Sequence, residues 1–101
     1  MREYTKSHEW VDKEGNIATV GITKAAVKEV GDIVYVELPK VGKTVAVGQD
    51  ACVIESTKAA VDISSPVSGT ILSVNDALLT NIQLLNDLPE SDGWLFKVTL
   101  S

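Results

Sequence analysis

The residues with the clearest chemical potential lie in one run, Cys52-Val53-Ile54-Glu55-Ser56-Thr57-Lys58-Ala59-Ala60-Val61-Asp62-Ile63. Apolar, β-branched residues enter and leave it, and small or polar residues occupy its middle. That pattern predicts two strands joined by a short turn, with Lys58 projecting from the tip. An exposed amine held in a reproducible place, with small Ala59 and Ala60 beside it, suits covalent acylation. Acylation removes the charge and leaves a long flexible arm. Such an arm keeps its cargo at high effective concentration near a docked partner. From composition alone, Lys58 reads as one more solvated surface lysine.

The residue types needed for catalysis are sparse. The chain has one cysteine, Cys52, and one histidine, His8. Cys52 lies within an apolar segment and reads as a packed core thiol rather than a nucleophile. His8 beside Glu9 offers a general base only in principle and reads as a surface histidine. One Cys and one His far apart make a poor metal set. The glycines are scattered and form no phosphate loop. No catalytic and no metal residues are assigned.

The 101 residues suit one domain, 1–101. The net charge of -5 disfavours nucleic acid as a partner. Apolar runs are too short to span a bilayer, which argues against a membrane role. A single cysteine and the lack of an apolar core in the first residues predict a cytoplasmic protein, or a mitochondrial matrix protein if eukaryotic and processed.

Strands are expected over 17–22, 33–38, 44–47, 51–55, 61–64, 70–74 and 95–100, a spacing typical of a sandwich or flattened barrel. A helix is expected from Thr23 to Val30, with Thr23 as N-cap and Gly31 as stop. A second helical turn is expected over Asn75–Leu79. The words Thr23-Lys24-Ala25-Ala26-Val27 and Thr57-Lys58-Ala59-Ala60-Val61 repeat. Their flanks differ, and the identity is read as mostly coincidental. Trp10 and Trp94 are read as core or rim packing.

Separate matches in the right order resemble the H protein of the glycine cleavage system over nearly the whole chain. They are Tyr4 to Val11, Ala18 to Thr23, Gly31 to Pro39, Glu55-Ser56-Thr57-Lys58-Ala59, Asp62, Ser65 to Gly69, Val74-Asn75, Leu85-Asn86 and Gly93-Trp94-Leu95. The resemblance implies a mainly β fold, the barrel-sandwich hybrid of lipoyl and biotinyl carriers: two small antiparallel sheets with one or two short helices. It places Lys24 on a helix and Lys58 on the modified hairpin, and so implies lipoic acid bound covalently to Lys58. Biotin carriers set their lysine between two methionines, whereas Thr57 and Ala59 flank this one.

The implied role is a lipoyl carrier that takes an aminomethyl group from glycine at a pyridoxal-phosphate-dependent glycine decarboxylase. It delivers the group to a tetrahydrofolate-dependent aminomethyltransferase. A flavin-containing dihydrolipoyl dehydrogenase reoxidises the arm, and a lipoate ligase or lipoyl transferase attaches it. The loaded arm is expected to fold into a cleft mapped onto Ser7, Glu9 and Asp62, with Glu55 helping the attaching enzyme to recognise the hairpin. A monomer is expected. The alternative is an H-like lipoyl relay or stress-regulatory carrier inactive in glycine cleavage. Two departures favour weighing it. Typical family members continue past Gly93-Trp94-Leu95 into C-terminal helices, while this sequence ends at Ser101. An aromatic usual after the late proline is replaced by Glu90-Ser91-Asp92. Both bear on docking to the decarboxylase more than on lipoylation.

Overall fold

The structure is a computed structural model and describes residues 2–101; Met1 lies outside the described residues. The strands are β1 (Arg2–Tyr4), β2 (Glu9–Glu14), β3 (Ile17–Ile22), β4 (Ile33–Glu37), β5 (Thr44–Val45), β6 (Asp50–Ser56), β7 (Ala60–Ser64), β8 (Gly69–Val74) and β9 (Phe96–Leu100). The helices are α1 (Lys24–Val30), α2 (Ala77–Thr80) and α3 (Gln83–Asp87). One sheet has six strands in the order β1-β2-β3-β9-β8-β5, and the other has three in the order β4-β6-β7. All pairings are antiparallel.

Side-chain alternation explains how the sheets meet. Ala18, Val20 and Ile22 of β3, with Phe96 and Val98 of β9, turn inward from the large sheet. Cys52 and Ile54 of β6 and Ile63 of β7 turn inward from the small one. These residues belong to one hydrophobic core, closed by Leu78 of α2 and Leu85 of α3. Complete burial of a side chain such as Ile54 contributes about 1.5–3 kcal/mol.

On the other face of the large sheet, Trp10 pairs across the ladder with Gly21. The indole covers the glycine so closely that an added Cβ would lie 2.6 Å from it. Trp10 Nε1 donates to the Pro89 carbonyl at 2.9 Å, and the Arg2 guanidinium sits 4.0 Å from the ring centroid. Trp10 is thus fully packed, while Trp94 is half-buried at the rim.

The helix predicted after Thr23 forms as expected. Thr23 Oγ1 accepts from the Ala26 amide at 3.2 Å. Gly31 ends the helix with φ 92°, and its amide donates to the Val27 carbonyl. Among the described residues, no helix is long and apolar enough to cross a membrane.

The differences from sequence expectation have local causes. Strand β5 stops at Val45 rather than Val47, because the Ala46 and Val47 amides turn to Gln49 Oε1 and Ser68 Oγ. The second helical region is longer than the turn predicted at 75–79: it forms α2 and also α3, which the sequence did not reveal. Strands β1 and β2 were likewise unforeseen.

Candidate functional site

Strands β6 and β7 pair from Asp50↔Ser64 to Glu55↔Ala60, so Thr57, Lys58 and Ala59 form the tip between them. The tip is held from inside and below. Ser56 Oγ accepts from the amides of Lys58 and Ala59, each at 3.1 Å. The Ser56 amide donates to the Ala59 carbonyl at 2.8 Å, and the Thr57 amide donates to the Asp32 carbonyl at 3.1 Å. A serine at the strand end thus replaces ladder bonds that the turn would lose. Lys58 is exposed, as are Ala59 and Ala60. Among the described residues Lys58 has no ion-pair partner. An exposed, unpaired amine between small neighbours fits an acylated lysine.

The repeated pentapeptide has two different structures. Thr23 caps α1 and Lys24 opens it, whereas Thr57 and Lys58 lie at a hairpin tip. The echo is therefore not a structural repeat.

Ser7, Glu9 and Asp62 line one cleft of ≈ 260 Å³, together with His8, Ile22, Ala26, Glu29, Val30, Ile54, Val61, Ile63 and Ser64. The turn before β2, the adjoining ends of β2 and β3, helix α1, and the β6–β7 hairpin that also carries Lys58 build it. The turn is fixed by the His8 amide donating to the Thr5 carbonyl, and by the Thr23 amide donating to the His8 carbonyl. His8 has φ 67°, a left-handed conformation uncommon for a residue with a side chain.

Glu9 departs from the picture of a solvated surface acid. It is only 4% exposed. Its Oε1 accepts from Thr5 Oγ1 at 2.6 Å, and Thr5 Oγ1 accepts in turn from the Glu9 amide at 3.1 Å. A buried carboxylate needs such a partner, and the pair locks Glu9 against the cleft wall. Ser7 and Asp62 are exposed at the cleft. His8 Nε2 lies 4.0 Å from Glu29 Oε2 across the turn–helix junction. Sequence reasoning had not placed His8 or Glu29 at the cleft: no local pattern links residue 8 to a helix 21 positions on. Glu55 is exposed on β6, opposite Ala60 and Tyr35, and does not line the cleft.

A larger hollow of ≈ 440 Å³ lies beside Glu37–Lys40 and Asp50–Val53. It sits at the other end of β6, about 20 Å from the tip at ~3.3 Å per residue. Cys52 borders it but is buried, and that burial, with the charge of Glu37 adding to it, pushes the thiol up to about 12. Such a thiol is no nucleophile near neutral pH.

The segment after Pro89 is tied down by Glu90. Its Oε2 accepts from the Lys24 amide at 2.9 Å, and its Oε1 accepts from the Tyr4 hydroxyl at 3.1 Å. Arg2 donates to its carbonyl at 2.7 Å. Glu90 therefore fastens α1, one wall of the cleft, to the N-terminal strand.

Comparison with known proteins places this architecture. The family described as Glycine cleavage H-protein matches residues 2–101. A glycine cleavage system H protein of Thermotoga maritima is 52% identical over 101 residues, covering 100% of this chain and 82% of that protein. One of Alcanivorax borkumensis is 53% identical over 98 residues, covering 97% of this chain and 77% of that protein. The crystal structure of a glycine cleavage system H protein from Mycobacterium marinum superposes with a TM-score of 0.93 at 40% identity, covering 99% of this chain and 84% of that one. With this match the two facing sheets are the lipoyl-type barrel-sandwich hybrid. In sequence and fold alike, the chain belongs to the glycine cleavage H-protein family.

Proposed function

We propose that this chain is the lipoyl carrier of a glycine cleavage system, a non-enzymatic subunit with lipoic acid attached through an amide to Lys58. The observation that carries this reading is the shared hairpin: one element presents the exposed lysine and also walls the cleft that holds Ser7, Glu9 and Asp62. Family membership supports it.

The lipoyl group, when bound, supplies the disulfide and dithiol chemistry that accepts and releases an aminomethyl group. The chain's own residues present and shelter the arm. Ser56 and the Asp32 carbonyl fix the tip. The apolar wall of Ile54, Val61 and Val30 receives the arm's hydrocarbon, and burial there limits water. Glu9, locked by Thr5, and Asp62 place carboxylates where a cationic amine would end; Ser7 adds a hydroxyl. Glu55, exposed below the tip, serves the attaching enzyme as a recognition contact. The proposed partners are glycine decarboxylase, the tetrahydrofolate-dependent aminomethyltransferase, dihydrolipoyl dehydrogenase and a lipoate ligase or transferase.

The test is glycine–bicarbonate exchange. With the lipoylated chain and a glycine decarboxylase, label from bicarbonate is expected to enter glycine, and to stop entering it when Lys58→Ala replaces the carrier. No exchange with a fully lipoylated chain would contradict the glycine cleavage role and favour a relay to other acceptors.

A further inference from the structure

The Lys58 side chain does not stand free of the surface: its aliphatic stem lies across Gly31. A Cβ added at Gly31 would be 3.3 Å from Lys58 Cε, 3.6 Å from Cδ and 3.7 Å from Nζ. Three consecutive atoms of the stem thus pass over one glycine. The contact joins two elements far apart in sequence, the hairpin tip and the end of α1. They are also joined beside it by the Thr57 amide donating to the Asp32 carbonyl.

The place of Gly31 gives the contact a direction. Val30, immediately before it, lines the cleft, and so does Val61 on the strand leaving the tip. Gly31 therefore lies on the rim between the attachment amine and the cleft. Its conformation (φ 92°, ψ −163°) already calls for glycine as a helix stop. That requirement alone would be met without any contact to a lysine. The absence of a side chain has the second effect of leaving a shallow notch, and the lysine stem occupies it.

We infer that Gly31 is a positioning residue, a notch that guides the Lys58 arm over the end of α1 and into the cleft. This rests on the reading of Lys58 as the lipoyl attachment site. A methyl group at position 31 would meet the flexible part of the stem and displace it; its strain on the left-handed backbone falls on the Asp32 side, while the Ser56 bonds still shape the tip. Attachment is expected to survive this, and entry of the arm into the cleft is not.

The test uses the whole chain, lipoylated by a lipoate ligase, with amide chemical shifts as the readout. In the wild-type lipoylated chain, reducing the arm and loading it with an aminomethyl group from formaldehyde and ammonia is expected to shift the amides of Val30, Val61, Asp62 and Ile63. In Gly31→Ala, mass mapping should find lipoate on Lys58 at full occupancy, while those amides lose most of the shift. A second measurement needs no variant and decides the matter even if Gly31→Ala folds poorly. In the unmodified chain, nuclear Overhauser effects are expected between the Lys58 ε-methylene and the Gly31 α-protons. Wild-type shifts in a loaded Gly31→Ala chain, or absence of those Overhauser effects, would overturn the notch and leave Lys58 as the attachment site. No lipoate on wild-type Lys58 would overturn both.

Discussion

The side-chain amide of Asn86 pairs with the backbone of Ile33 as a strand would. Asn86 Oδ1 accepts from the Ile33 amide at 2.9 Å, and Asn86 Nδ2 donates to the Ile33 carbonyl at 2.9 Å. Ile33 begins β4, an edge strand of the small sheet. Asn86 thus satisfies backbone groups that an edge would otherwise leave open. It also braces the Gly31–Asp32 turn on which the Lys58 tip rests.

Asn86→Ala is expected to remove both bonds and cost about 1–3 kcal/mol. For a chain of this size that lowers Tm by roughly 4–8 °C per kcal/mol. Urea unfolding monitored by circular dichroism checks it; a midpoint equal to wild type would show that the pairing contributes nothing.

Gly21→Ala should be harmful for a different reason. Its methyl would lie 2.6 Å from the Trp10 indole, which is packed and cannot retreat without losing its bond to Pro89. Overpacking of this kind costs about 1–3 kcal/mol. Tryptophan fluorescence should shift as Trp10 is displaced, alongside a lower Tm.

Much of this was legible in the sequence where local rules suffice. Alternating Ile and Val marked β3, β6, β7 and β8, and Thr23 with Gly31 bounded α1. The small and polar residues between the apolar runs of β6 and β7 marked Lys58 as the tip of a hairpin. Strand β2 was hidden because Asp12, Lys13 and Glu14 break its apolar alternation, and its strand character comes from pairing with β3. Helix α3 was hidden because Ile82 at its start offers no capping side chain. The cleft was legible only through family resemblance. Ser7, Glu9 and Asp62 are distant in sequence, and the burial of Glu9 depends on Thr5 and on the packing of α1 and β7 around it.

The acid side of the stability profile should carry a signature of Asp12. Its hydrogen bond to Arg2, 2.8 Å from Nη2, holds the carboxyl below the ordinary carboxylate range despite an opposing desolvation effect. A group with a lowered folded pKa stabilises the fold above its unfolded value, near pH ~4, and loses that contribution as pH falls through the folded value. The pair is partly exposed, so its contribution is screened to under about 1 kcal/mol. The stability difference between wild type and Asp12→Asn should be constant above about pH 5 and shrink progressively below it. A difference that grew on acidification would contradict the assignment.

Cys52 should resist alkylation in the native state. With its thiol pushed up to about 12 by burial, only about 10⁻⁴ is thiolate at pH 8. Iodoacetamide labelling should therefore be slow and should accelerate with urea as the chain opens. Rapid labelling without denaturant would mean that the thiol is accessible.

The central claim is that Lys58 bears the arm. Peptide mass mapping after incubation with lipoate, ATP and a lipoate ligase tests it most directly, with Lys58→Ala in parallel. The expected result is a lipoyl-sized mass on the Lys58 peptide, absent from the variant. No modification of the wild-type chain, or modification at Lys24 on α1 instead, would contradict the claim.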